Sequence, residues 1–313
     1  MDAVIELLEK GLLTLAVSAS RHGLERFGVP RGGPMDICRS TLANRLVGNP
    51  DGSGVLEMTM LPPRVRFLDH RLFAVVGGIE DIRLLRGGQE RRLAPGDAAE
   101  AQPGDELAMG PVRTGLRAYL AVSGGILPPE LRPRPLPAGA RLSLGTAAEP
   151  VCRGLLRMPP SLPESAVLLR VTEGVQRDFF SQESLTAFYG GAYRCTAQCD
   201  RMGLRLSGCA VPFAPGRDGN IISEGMMPGD IQITSAGQPI LMMADCQTVG
   251  GYAKIAHVIQ ADLPAAAQLR PGSVVRVRRV SVQEAQFVWR RLWAEMDAAV
   301  SPRGDRTPAG GNR

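Results

Sequence analysis

Glycine and proline punctuate this chain from end to end. The 37 glycines and 25 prolines are spread over all 313 residues instead of gathering in one linker, and between them lie short apolar or alternating runs. The runs are Arg64 to Phe67, Leu72 to Val76, Ile82 to Leu85, Leu116 to Val122, Ala166 to Val171, Ile231 to Thr234, Ile240 to Ala244 and Val274 to Val280, mostly bounded by Gly, Pro or Asp. Such spacing belongs to barrels or sandwiches and predicts a mainly β fold. Helical patterns are fewer. Asp36 to Val47 opens on an acidic N-cap candidate, Ser181 to Tyr189 is short, and Val282 to Val300 is the longest, a C-terminal helix.

A chain of 313 residues is too long for one ordinary small core and suits two domains. Pro159, Pro160 and Pro163 mark the best linker. The expected division is a β-barrel-like domain over 1–158 and a second over 164–300 that ends in the terminal helix. The tail 301–313, rich in Pro, Gly and charge, has little apolar surface to bury and is expected to be disordered.

Composition narrows the function classes. No apolar run reaches the eighteen or so residues of a membrane helix; the best is Leu12 to Ala19. The residues before it carry Asp2, Glu6 and Glu9 against Lys10, the wrong charge for a secretory leader. A cytoplasmic protein with no membrane partner is expected. The formal charge of +5 comes from arginines scattered among acids, and aromatics are only 4%, so no nucleic-acid partner is expected. Six cysteines in so long a chain read as reduced thiols. Cys195 and Cys199 lack a second Cys or His pair to complete a tetrahedron, so no metal is expected.

Three constellations carry candidate chemistry. Phe27 to Asp36, with Gly33 and Pro34 before Asp36, is either a rigid loop with a structural cap or a ligand-facing loop at a helix N-terminus. Asp200-Arg201 precedes an alternating strand, where the pair either anchors a turn or binds an anion. The third runs from Ser223-Glu224-Gly225 to Asp245, then through Gln247, Thr248, Gly250, Gly251 and Tyr252 to Lys254. Amide, hydroxyl, phenol and ammonium groups there surround a backbone that admits close approach. Gly250-Gly251 alone is a plain hairpin signal; with Gln247, Tyr252 and Lys254 beside it, the segment reads as a binding site. Of the 36 basic residues only Lys10 and Lys254 are lysines. Arginine stays protonated in proteins while lysine can be tuned, so Lys254 stands out, and its ammonium is expected to line the main cavity.

The words Gly28-Val-Pro, Gly33-Pro-Met-Asp36, Leu46-Val-Gly-Asn-Pro50, Tyr119-Leu-Ala-Val-Ser-Gly-Gly125, Asp200-Arg-Met-Gly203, Gln238-Pro-Ile240 and Gln247-Thr-Val-Gly-Gly-Tyr252 through Lys254-Ile-Ala256 occur in order from about Ile5 to Val280. Together they resemble the family of KipA and the 5-oxoprolinase C-component, relatives of the carboxyltransferase region of urea amidolyase. The resemblance implies two cyclophilin-like β-barrel domains with a few short helices. It also implies a companion of the KipI / 5-oxoprolinase B-component type, with ATP or biotin entering only at the level of the assembly. Where the family usually has Gln-Asp and a further Gly this chain reads Val17-Ser18 and Ser20, and where it has Pro-Ser this chain reads Arg31-Gly32. A shortened, Pro-rich stretch from Ile126 to Leu142 replaces a longer polar segment.

Two functions compete. One is an enzyme subunit acting on a small amide or carboxylate substrate, with Lys254, Glu224 and Asp245 catalytic and Gln247, Thr248, Gly250, Gly251, Tyr252, Arg201, Asp36 and Gly33 binding substrate. The other is a non-catalytic KipA-like regulator that binds an inhibitor subunit of a sensor kinase.

Overall fold

A computed structural model describes residues 5–128, 133–147, 153–155 and 166–302. The linker prolines 159, 160 and 163 and residues 303–313 of the tail lie outside them. In chain order the first half holds β1 (Ile5–Glu9), β2 (Leu13–Val17), α1 (Ile37–Leu46), β3 (Val55–Thr59), β4 (Arg64–Phe67), β5 (Arg71–Gly78), β6 (Ile82–Arg86), β7 (Gln89–Leu93), β8 (Ala98–Ala101), β9 (Glu106–Met109), β10 (Thr114–Val122), β11 (Arg141–Leu142) and β12 (Arg153–Leu155). The second half holds β13 (Ala166–Glu173), α2 (Gln182–Gly190), β14 (Tyr193–Cys195), β15 (Gly203–Ser207), β16 (Asn220–Gly225), β17 (Asp230–Ile233), β18 (Pro239–Met242), β19 (Val249–Tyr252), β20 (Lys254–Val258), α3 (Leu263–Ala266), β21 (Val274–Arg279), α4 (Val282–Asp297) and β22 (Val300–Pro302). Every strand-type run of the sequence is a strand here, and the three helical patterns are α1, α2 and α4.

The first half is a six-stranded sheet, ordered β11-β1-β4-β9-β6-β7, facing a five-stranded one, ordered β2-β3-β10-β5-β8. Strand alternation sorts the side chains of the second sheet. Leu56 and Met58 of β3, with Ala118, Leu120 and Val122 of β10, enter the core shared by both sheets. Val55, Tyr119 and Ala121 point to the opposite face, where α1 packs through Leu42 and Leu46. That outer face is where the site is built.

The second half closes into a seven-stranded barrel, β13-β20-β17-β18-β15-β14-β21, with β13 and β21 parallel. Leu169, Leu204, Ile231, Ile255 and Val277 fill it, and Leu185 and Phe188 of α2 pack into the same core. Strands β16 and β19 pair with each other as a separate ribbon.

Helix α4 follows the barrel in sequence and bridges the two halves, touching Gln260–Asp262 and β13 of the second as well as the first. Its buried Leu292 and Met296 share a core with Leu42, Leu46 and Leu72. The final strand, β22, pairs antiparallel with β12, so the chain stays in register through Ser301 and Pro302, past the expected start of the tail. An amphipathic helix must bury its stripe somewhere, and the outer face of the five-stranded sheet offers the apolar partner.

Candidate functional site

A cavity of about 400 Å³ opens where the two halves and α4 meet. The loop after β2 gives it Ser18 and Ser20, and α1 gives Ser40, Thr41 and Asn44. The barrel gives Met227, Pro228, Met243 and Ala244, and α4 gives Trp289 and Trp293. These are the only two tryptophans of the chain. Their rings meet edge to face at 5.5 Å, and the Arg45 guanidinium lies 5.6 Å from the Trp293 ring. The charged groups at the walls are already paired: Arg31 with Glu25 at 2.8 Å and Asp51 with Arg45 at 2.7 Å. What remains inside is apolar area with neutral donors and acceptors, at a volume usual for small-molecule sites.

A buried ionic network fixes these walls. Arg201, two residues before β15, makes a bidentate pair with Asp245 at 2.7 and 2.9 Å, bonds Glu57 of β3, and donates to the Gly33 carbonyl at 2.7 Å. The other Glu57 oxygen accepts from the Met35 amide at 2.7 Å and the Tyr119 hydroxyl at 2.8 Å. Tyr119 in turn accepts from the Asp36 amide at 2.8 Å. Asp36 caps α1 through the Arg39 amide at 3.0 Å, and its second oxygen takes Arg39 and, at 2.7 Å, Gln268 from beyond α3. Burial pushes the Glu57 carboxyl up, but the Arg201 and Arg117 cations, the Met35 amide and the Tyr119 hydroxyl outweigh it and hold its pKa below the ordinary value. Burial and the neighbouring Glu57 and Asp36 carboxylates raise Tyr119 well above a free phenol. The network therefore carries fixed charge and clamps one half to the other. Met35 and Ala244, each beside a network residue, line the cavity, and the Gly32 amide bonds the Ala244 carbonyl at 2.9 Å across it. Gly33 is needed here: its φ is +88°, and a Cβ would stand 2.4 Å from Ser20 Oγ.

The residues predicted from sequence fall into two groups. Gly33, Asp36, Arg201 and Asp245 meet in this network behind the cavity; Asp36 is fully buried, and Asp245 keeps a quarter of its side chain exposed. Glu224, Gln247, Thr248, Gly250, Gly251, Tyr252 and Lys254 lie on or beside the β16–β19 ribbon. Lys254 Nζ is buried between Glu224 at 2.6 Å and the Gly225 carbonyl at 2.9 Å. Lys254 and Gln176 hydrogen bonds hold the Glu224 carboxyl below its usual pKa. Lys254 does not line the large cavity, contrary to the expectation from sequence: its ammonium turns under the ribbon, where a carboxylate and a carbonyl satisfy it. Gly250 pairs with Glu224 in register, and a Cβ there would stand 2.9 Å from the Met226 sulfur. Thr248 takes the Met226 amide at 3.0 Å on its carbonyl, and Gln247 and Tyr252 are half-buried. The ribbon cluster thus braces the segment that continues into Met227 and Pro228 at the cavity wall.

From sequence, Glu57, Arg117, Gln268 and the two tryptophans were not singled out, and Tyr119 appeared only as part of a family word, without a site role. Glu57 does leave a signal, a single carboxylate inside the apolar run Val55 to Met58. Trp289 and Trp293 leave another, since four residues apart on a helix puts them on one face.

A closed barrel joined to a two-sheet unit, with a cavity of small-ligand size at the junction, defines a two-lobed β protein. Residues 27–279 match the carboxyltransferase domain, subdomain A and B, and the chain belongs to that family. It is 29% identical to the C-component of 5-oxoprolinase from Escherichia coli, over 90% of this chain and 93% of that one. It is 29% identical to urea amidolyase of Lachancea kluyveri, over 90% of this chain but 17% of the larger protein. The crystal structure of Kluyveromyces lactis urea carboxylase superposes with a TM-score of 0.84 at 25% identity, covering 99% of this chain and 32% of that one. Among the described residues no helix is long and apolar enough to cross a membrane.

Proposed function

We propose that this chain is the carboxyltransferase-type component of an ATP-dependent, 5-oxoprolinase-like enzyme that acts on a small amide together with a companion subunit, and that the substrate sits in the cavity between the two halves. The observation that carries the reading is the cavity itself, with neutral hydrogen-bonding groups on one wall and two indoles on the other. A compact amide or ureido group asks for donors and acceptors instead of a full counter-charge, and the Ser40 and Thr41 hydroxyls offer them, while Asn44 is held by Ser53 and Asn49. Ser40 and Thr41 project from the first two turns of α1, whose partial positive end favours an oxygen that gains charge during reaction. Asp245, partly exposed, paired with Arg201 and next to the wall residue Ala244, is our candidate to assist proton transfer. Lys254 and Glu224 support the wall from behind the ribbon. ATP, and any carboxyl group carried on biotin, enter from the companion. Support comes from a relative aligned over nearly its whole length whose name makes it one subunit of a larger enzyme.

The test is to co-purify the chain with a companion of the 5-oxoprolinase B-component type and assay ATP-dependent cleavage of 5-oxoproline. The complex should turn over, the isolated chain should not, and Thr41→Val should lower kcat/KM about ten-fold or more. A stable complex that cleaves neither 5-oxoproline nor urea would overturn the enzyme reading in favour of a regulator.

A further inference from the structure

The walls of the cavity between the halves divide by chemistry. Every hydroxyl among its lining residues, on Ser18, Ser20, Ser40, Thr41 and Ser53, comes from the first half. The second half, α4 included, supplies Met227, Met243, Leu263, Pro264, Trp289 and Trp293, with Gln260 as its one side-chain amide. Among the described residues it brings no charged group to the lining. A ligand that satisfies both walls therefore has a polar head and an uncharged apolar body.

Size points the same way. A space of about 400 Å³ is of the order that drug-sized ligands fill, whereas urea or a bare cyclic amide covers the hydroxyl wall and leaves the opposite wall facing water. Covering that wall is the gain an apolar body brings. The wall has room to be covered, since Met227 is 41% exposed. Arg45 already lies over the Trp293 ring at 5.6 Å, while Trp289 is half-buried and meets Trp293 edge to face. Indoles and thioethers both make favourable contacts with aromatic rings beyond simple burial. On the polar side, the Ser40 hydroxyl donates to the Ile37 carbonyl at 3.0 Å, so its oxygen can still accept an amide N–H.

We propose that the site takes a cyclic amide bearing an uncharged aromatic substituent. The amide lies against the Ser40 and Thr41 hydroxyls, and the aromatic ring lies against Trp289, Met227 and Met243. Trp289 thereby sets specificity, recognising a part of the ligand that takes no part in the chemistry. This specificity rests on the reading above that the cavity holds the substrate.

The full chain is titrated calorimetrically with pyrrolidinone and, separately, with pyrrolidinone carrying a benzyl or a cyclohexylmethyl group on the carbon beside nitrogen. The benzyl compound should bind about ten-fold or more tighter than the bare amide, and tighter than its cyclohexylmethyl counterpart. Trp289→Leu and Met227→Ala should each shrink the advantage of the benzyl compound, whereas Thr41→Val should weaken the benzyl compound and the bare amide alike. The comparison of the three compounds on the unaltered chain holds even where a variant fails to fold. A benzyl compound that binds no tighter than the bare amide or the cyclohexylmethyl compound would overturn the aromatic specificity and leave the cavity standing as the substrate site. Binding of none of the three would overturn both.

Discussion

Glu57 shows why single residues were only partly legible. Its partner Arg201 lies 144 positions away, and no local pattern announces a pairing at that distance. Asp36 was legible because an N-cap acts on its own helix, and Arg201 because it sits in a short charged word. Lys254 was singled out correctly as unusual but placed wrongly, since sequence shows that a cation is present and not which carboxylate will claim it. Removing one member of a buried ionic set leaves the others without compensation, so Arg201→Leu should cost about 3–5 kcal/mol in urea unfolding. Glu57 also sets a pH dependence. Its folded pKa is depressed, so its contribution is present above the unfolded carboxylate value of about 4.3 and is lost as pH falls through the lower folded value. Glu57→Gln should flatten the loss of stability below about pH 4.3 in unfolding curves of the two proteins. Parallel acid limbs would show that Glu57 does not titrate against Arg201.

Among the elements, α4 begins at the predicted Val282 but ends at Asp297, three residues short of the expected Val300; Ser281 caps it by accepting the Glu284 amide at 3.1 Å. Its destination was not predicted, since periodicity reveals a stripe and leaves its mate unnamed. The helix belongs in sequence to the barrel but packs between the halves, where Met296 is fully buried. Ser281→Ala should therefore cost about 1 kcal/mol, and Met296→Ala about 2–5 kcal/mol through the cavity it leaves. If both changes left the thermal midpoint unmoved, α4 would not be docked on α1 in solution.

At the scale of the whole molecule, the mainly β character was readable from turn spacing and the family from ordered words. Barrel closure was implied by the family resemblance and not by local pattern: it depends on the parallel pairing of β13 with β21, a contact between strands over a hundred residues apart. The cavity was equally hidden, because its walls come from seven separate stretches of chain. The altered words Val17-Ser18, Ser20 and Arg31-Gly32 all fall on those walls, so the chain departs from the family's usual wording where a ligand would touch it. The most direct test uses the fact that both tryptophans line this cavity. Their emission is followed as the full chain is titrated with 5-oxoproline and, separately, with urea. The account predicts a saturable change with at least one of them, lost in Ser18→Phe, which fills the cavity from the β2 side while the protein keeps its thermal midpoint. No change with either compound, or an undiminished change in Ser18→Phe, would contradict the claim that this cavity holds the substrate.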